Sequence, residues 1–226
     1  MIFVTGDTHG QIDFEKLKVF SNENTSLTKN DYMIICGDFG GVWNPLTIDK
    51  ELEPYINLPF TVLFIDGNHE NFDLLSEYQI SNWHGGKVHF ISDNIIHLMR
   101  GQVFDIEGLL FFTMGGATST DKKMRIENIS WWKEEEISED DIIEANKNLE
   151  KVNYKVDYVI THACSEDCYF YPLFRLGYYK SYRENRVLTN FNALIDYKHW
   201  YFGHYHLDGR VDDKRTALYD EIIRIK

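Results

Sequence analysis

Asn68-His69-Glu70 comes directly after Thr61-Val62-Leu63-Phe64-Ile65-Asp66-Gly67, a run of β-branched and apolar residues that stops on glycine. A short apolar run bounded by glycine reads as a buried parallel strand. In open α/β sheets, ligands collect just outside the carboxyl ends of such strands. One polar cluster after one strand is most often a turn or a helix cap. Here the pattern recurs. Ile2-Phe3-Val4-Thr5-Gly6 ends in Asp7-Thr8-His9, and Tyr32-Met33-Ile34-Ile35-Cys36-Gly37 ends in Asp38. Tyr158-Val159-Ile160-Thr161 ends in His162, and Trp200-Tyr201-Phe202-Gly203 ends in His204-Tyr205-His206. Carboxylate, imidazole and amide oxygen are the donors that hold hard-to-borderline divalent cations. Five strand ends that each deliver such donors point to one convergent metal site.

The elements between the strands follow from periodicity. Asp7 and His9, two apart in an extended segment, are expected to point the same way and reach one ion. Asp13 to Phe20 predicts an amphipathic helix with Phe14, Leu17 and Phe20 on one face, followed by a polar loop from Ser21 to Asp31. Gly40-Gly41 permits tight backbone beside Asp38. Asp49 to Ile56 predicts a short helix interrupted by Pro54, and residues 71–80 predict another. From Val88 the pattern turns to strands: 88–91, 95–99, 102–106 and 109–114, with Glu107-Gly108 as a hairpin turn. Residues 115–137, which carry Trp131-Trp132, read either as a loop over the site or as a surface insertion packed on the domain. Ser138-Glu139-Asp140-Asp141 reads as a capping box opening a helix to about Lys151, its acidic run a solvated face. Leu188 to Tyr197 predicts a helix, and Ala217 to Ile225 a segment that closes the sheet.

At 226 residues the chain is expected to form a single domain, residues 1–226. Hydrophobic residues make up 43% of it, and no run of about 18 apolar residues occurs, so no transmembrane helix is expected. The chain enters a strand at Ile2 without a basic region, apolar core and cleavage site, so no signal peptide is expected and a cytoplasmic location is. The net charge of −13, from 36 acidic and 23 basic residues, argues against an extended nucleic-acid surface. It does not exclude a nucleotide, because a metal centre supplies local positive charge. Cys36, Cys164 and Cys168 are too few for a disulfide framework and read as reduced packing thiols. His84, His89, His97 and His199 fit no motif and read as surface or packed histidines.

The set Gly6-Asp7-Thr8-His9, Gly37-Asp38, Gly67-Asn68-His69-Glu70, Thr161-His162 and Gly203-His204-Tyr205-His206 resembles the signature of the calcineurin-like metallophosphoesterases. The resemblance spans residues 5 to 206. It implies an α/β fold of two packed mixed β-sheets flanked by helices, a four-layer sandwich. It also implies two divalent metal ions, with Mn, Fe and Zn all compatible. One would be held by Asp7, His9, Asp38 and His206, the other by Asp38, Asn68, His162 and His204, with Asp38 bridging. By the same resemblance His69 would stand over the leaving-group oxygen as general acid or electrostatic stabiliser, and a metal-bridging hydroxide would hydrolyse a phosphate mono- or diester.

The chain departs from part of that family. Phosphoprotein phosphatases and dinucleoside-tetraphosphate hydrolases carry Asp-Arg-Gly just after the second block, where this chain reads Phe39-Gly40-Gly41-Val42-Trp43. The Asp that orients the catalytic His and the Arg that binds phosphate are thus missing, with Arg125, Arg175 and Arg183 as candidate replacements. The expected substrate is a phosphorylated small molecule, with a small phosphodiester or nucleotide preferred, and no membrane partner. Two alternatives differ in class. A nuclease of the same fold would need a basic groove, and a non-catalytic metal-binding scaffold would have lost ligands that this chain keeps. Oligomeric state is not legible.

Overall fold

The computed structural model describes every residue except Leu176 and Tyr178. Its order is β1 (Ile2–Thr5), α1 (Glu15–Glu23), β2 (Tyr32–Ile35), α2 (Ile48–Ile56), β3 (Thr61–Phe64), α3 (Phe72–Glu77), β4 (Ile80–Trp83), β5 (Gly86–Ser92), β6 (Ile95–Leu98), β7 (Gln102–Ile106), β8 (Leu109–Met114), α4 (Glu139–Lys151), β9 (Tyr158–Thr161), α5 (Arg183–Leu194), β10 (His199–Phe202), β11 (Gly209–Arg210), β12 (Arg215–Ala217) and β13 (Ile222–Arg224). One mixed sheet runs β13-β1-β2-β3-β6-β5-β4, and the other runs β11-β12-β10-β9-β8-β7. The five strands that carry candidate ligands all lie in parallel pairings: β1 with β2, β2 with β3, and β9 with β10. Their carboxyl ends therefore share one edge of the sandwich.

The strands read as continuous apolar runs because both faces of each sheet are covered. Ile2, Val4, Ile34, Leu63 and Ile96 of the first sheet meet Phe104, Phe111, Ile160 and Tyr201 of the second in one core between the sheets. The alternate residues Phe3, Met33, Ile35 and Phe64 turn the other way and pack with Leu17, Leu52, Tyr55 and Leu75 from the helices. On the far side, Phe112, Val159, Trp200 and Phe202 pack with Ala145, Leu149, Leu188 and Phe191. Helices, sheet, sheet and helices make the four layers that the motifs imply.

Several boundaries differ from the periodicity. α1 runs to Glu23, three residues into the stretch read as loop, and α5 begins at Arg183 rather than Leu188. The helix expected over 71–80 ends at Glu77, and Ile80–Trp83 becomes edge strand β4, paired antiparallel with β5. Ile80 is 55% exposed there, so the segment lacked a buried face for the pattern to show. The final segment closes both sheets: β12 pairs with β10, and β13 pairs antiparallel with β1. The turn at Glu107-Gly108 is as expected, with both residues at positive φ (55° and 79°), the conformation of a tight hairpin. The α4 capping box is present, with Ser138 Oγ accepting from Asp141 N and Asp141 accepting from Ser138 N.

Candidate metal centre

The segment after β1 does not stay extended. Asp7 and His9 reach a common point through a turn in which His9 takes φ 43°, so strand alternation is not what aligns them. Asp38, His204 and His206 are also left-handed, at φ 48°, 69° and 50°. Such conformations cost non-glycine residues about 1–3 kcal/mol and persist only where the surroundings fix them. The surroundings here are explicit. Thr8 N and His9 N both donate to the Asp38 carbonyl at 3.1 and 2.8 Å, and Gly10 N donates to the Phe39 carbonyl at 2.8 Å. From the opposite side, the fully buried Glu70 carboxylate accepts Phe39 N at 2.7 Å and Gly40 N at 3.2 Å. Two loops and one carboxylate thus clamp the backbone that presents Asp38.

The glycines before the ligand residues mark close approach. A Cβ on Gly67 would lie 2.0 Å from Asp38 Oδ1, and one on Gly203 would lie 2.2 Å from Asp7 Oδ1. Any side chain there would displace the carboxylate.

All seven candidate ligands come together. Asp7, His9 and His206 place one donor atom each within 4.8 Å of one another, and so do Asp38, His162 and His204. Asn68 joins the second group, its Oδ1 lying 3.2 Å from His162 Nε2. Asp38 stands between the groups. Its Oδ2 lies 3.3 Å from His9 Nε2, and its Oδ1 lies 3.2 Å from His162 Nε2. His69 N donates to the same Oδ1 at 2.7 Å. The His69 ring completes a third grouping with His9 and Asp38, and its centroid is 5.4 Å from that of His9.

The ring orientations are fixed from outside the cluster. His162 Nδ1 donates to the Cys36 carbonyl at 2.8 Å, and His9 Nδ1 meets Asp13 Oδ2 at 2.7 Å. In both residues Nε2 is left to face the centre, which is how ligating imidazoles are usually held. His206 stacks on Tyr219 at 4.4 Å and 9°. Asn68 Nδ2 donates to Ser119 Oγ at 3.1 Å, which turns its oxygen inward. Ser119 in turn is held by the buried Glu135, through its N–H and hydroxyl, both at 2.9 Å.

Segment 115–137 therefore combines both expectations for it. Trp132 is buried, its indole N–H bound to Asp73 at 2.8 Å, while Ser119 and Arg125 reach the centre. The Arg125 guanidinium lies against the His69 ring, with Nη2 3.2 Å from Nε2 and Nη1 3.4 Å from Nδ1. Asp121 holds its Nε at 2.8 Å. Arg183 is engaged elsewhere, with the Ile137 carbonyl and Glu139, and Arg175 is exposed. Of the three candidate arginines, Arg125 is the one placed at His69.

A family model described as calcineurin-like phosphoesterase matches residues 1–208. The chain belongs to the calcineurin-like phosphoesterase family. No curated protein matches it. The family is one of metal-dependent phosphoester hydrolases, and this calcineurin-like chain has donors that fit divalent cations. Asp7 and Asp38 are buried carboxylates that face imidazole nitrogens, with no lysine or arginine paired to them among the described residues. In the metal-free protein, protons fill that role. Burial opposes charging His162, but Asp38 and Asp7 outweigh it and raise its pKa to about 10. Burial likewise opposes charging His9, and Asp38 and Asp13 raise it to about 9. His204 goes the other way, lowered to about 3 by burial and by the His162 charge.

A pH dependence follows from these signs. Cations held by His9 and His162 would have to displace their protons, so metal affinity should then rise roughly ten- to hundredfold per pH unit between about pH 6.5 and 9. The stability those protons confer is full below about pH 6.5 and is lost as pH passes 9 to 10. The metal-free protein should therefore melt at lower temperature as pH rises, and the loaded protein should not. Calorimetric titrations and melts at pH 6.5, 7.5 and 8.5 check both, and a flat affinity would contradict the assignment.

Four residues that shape the centre carried no assigned role in the motif: Asp13, Glu70, Ser119 and Tyr219. Asp13 sits four residues after His9 and Glu70 directly follows His69, so a search for carboxylates near each motif finds them. Ser119 and Tyr219 have no such signal, because long-range folding alone brings them in.

Proposed function

We propose that this protein is a dinuclear-metal phosphoesterase acting on a small phosphodiester or nucleotide. The observation that carries the reading is Asp38, whose two oxygens face two separate donor groups, the arrangement a bridging carboxylate needs. Asp7, His9, Asp38 and His206 would hold one divalent cation, and Asp38, Asn68, His162 and His204 the other, Mn, Fe or Zn suiting these ligands. When bound, the cations would supply Lewis acidity to the phosphoryl group and lower the pKa of the attacking water. Water oxygen bonds to phosphorus as the P–O bond to the alcohol breaks, and the departing alcohol oxygen takes up a proton.

His69 would face the leaving oxygen as a neutral imidazole, since burial and the Arg125 charge lower its pKa; its backbone N–H bond to Asp38 and the guanidinium lying across its ring fix its place. Arg125 also offers charge to the phosphoryl group, the role that Asp-Arg-Gly fills elsewhere in the family. On the same reading residues 1–226 act as one domain, which the shared core between the sheets supports.

The deciding experiment compares a chromogenic phosphate monoester with the matching diester. Chelator-stripped protein would be assayed alone and with Mn, Zn, Fe(II) or Mg restored. Metal-restored turnover is expected, and its absence with two metals bound per chain would overturn the reading. His69→Ala should lower kcat about 10²- to 10⁴-fold on esters with poor leaving groups, with metal content unchanged. Arg125→Ala should lower kcat/KM about 10²-fold. Full activity of His69→Ala on a poor leaving group would remove it from the chemistry.

A further inference from the structure

The centre opens into a cavity of about 490 Å³ that shares His9 and His69 with it and continues past them to Gln11, Ile12, Trp43 and Lys50. The hydrolysis itself uses none of the latter four. Ile12 is 82% exposed, an isoleucine presented to solvent in a chain of net charge −13. Trp43 forms a second apolar wall and is held rigidly. Its ring meets Trp132 edge-on at 5.5 Å and 84°, and its carbonyl accepts from Asn71 Nδ2 at 2.8 Å. Gln11 is fixed as well: its Nε2 donates at 3.1 Å to the Lys50 carbonyl. Pro54, four residues on in α2 and lacking an N–H, leaves that carbonyl without its helical donor. The cavity thus pairs apolar walls with a preset polar edge at one side of the centre.

We propose that this cavity seats the alcohol half of the ester and selects an alcohol that carries a flat aromatic ring of nucleoside size. The proposal rests on the phosphoesterase reading above. The volume suits a ligand of that size. A ring laid against the indole gains stacking that a bare sugar or alkyl chain cannot. Gln11 and Lys50, exposed at the rim of the cavity, supply a polar edge that the nitrogens of a heterocycle can meet and a hydrocarbon ring cannot.

The test pairs adenosine 5′-monophosphate with ribose 5-phosphate, and the methyl diester of each. Within a pair the phosphate is on the same ribose 5-oxygen and the base replaces the anomeric hydroxyl; for the methyl diesters, only release of the ribose-bearing alcohol is counted, read by product analysis. In wild type, kcat/KM should favour the base-bearing ester by at least about tenfold. In Trp43→Ala that ratio should fall toward one. Ile12→Asn, a surface change that leaves the core intact, should lower the ratio too, so a folding defect in the Trp43 variant would not decide the matter. Adenosine itself, titrated by calorimetry into metal-free protein, reads the cavity without any hydrolysis and should bind wild type but not Trp43→Ala.

Equal kcat/KM for the two esters in wild type, or a ratio unmoved by both variants, overturns the cavity's assignment while leaving the phosphoesterase intact. Adenosine binding that Trp43→Ala abolishes, without turnover of any ester, upholds the cavity and overturns the phosphoesterase reading. Neither adenosine binding nor turnover overturns both.

Discussion

Asp38→Asn should abolish hydrolysis, lowering kcat/KM at least about 10³-fold, and on the proposed two-metal reading should reduce bound metal to one per chain or none. The side chain is 2% exposed, with Oδ2 against His9 and Oδ1 against His162 and the His69 amide. Asparagine keeps the shape and loses the charge. Its NH₂ would have to replace one oxygen, so one of the two donor groups would face a hydrogen-bond donor where a cation belongs. The reciprocal loop contacts run through the Asp38 backbone carbonyl and survive the change, so the fold should hold. Metal analysis by mass spectrometry and the chromogenic assay check this together. Full metal occupancy with more than about a tenth of wild-type kcat/KM would show that Asp38 does not bridge.

Asp66→Ala should destabilise the protein by about 3–5 kcal/mol without touching a candidate ligand. Asp66 is 3% exposed and Arg100 is 9% exposed, and they are joined by Nε at 2.7 Å and Nη2 at 2.5 Å, with His97 Nε2 at 3.2 Å on the other oxygen. Burial opposes the charge on Asp66, but Arg100 and His97 outweigh it and hold the carboxyl well below the usual range. That contribution is present above the unfolded value of about 4 and is lost as pH falls below it. Removing the carboxylate leaves a buried guanidinium with only carbonyls and the edge of Asp141. Because Asp66 lies two residues before Asn68, and Gly116 N binds its carbonyl at 2.9 Å, the loss should also loosen the segment that brings Ser119 and Arg125. Denaturant midpoints for Asp66→Ala, Arg100→Met and the double variant form the cycle. The double variant should be less damaged than Asp66→Ala alone. A single-variant loss under about 1 kcal/mol would mean Arg100 finds adequate partners elsewhere.

The motifs and the layers were legible because each rests on local pattern. Ile2–Thr5, Tyr32–Ile35, Thr61–Phe64, Tyr158–Thr161 and His199–Phe202 are apolar on both faces, and only a sheet covered on both sides produces that. Each stops at residues whose donor atoms suit a divalent cation, so the expectation of a metal site followed from chemistry before geometry was known. Ser138 and Asp141 announced α4 because a capping box is a contact between near neighbours. Edge strand β4 went unread for the converse reason: with one face open to solvent it carries no apolar run.

The tertiary structure alone decided how the donors converge and what holds them. Left-handed φ at His9, Asp38, His204 and His206 is uncommon even for Asp and His, which tolerate it better than most; here bonds between loops about 30 residues or more apart help hold it. The replacement for Asp-Arg-Gly could not be chosen among Arg125, Arg175 and Arg183 from spacing, because position along the chain does not measure distance to His69. Arg125 reaches it across 56 positions, and Ser119 reaches Asn68 across 51. Sequence determines which atoms can bind metal and phosphate. The packing of segment 115–137 against the strand ends decides which of them meet.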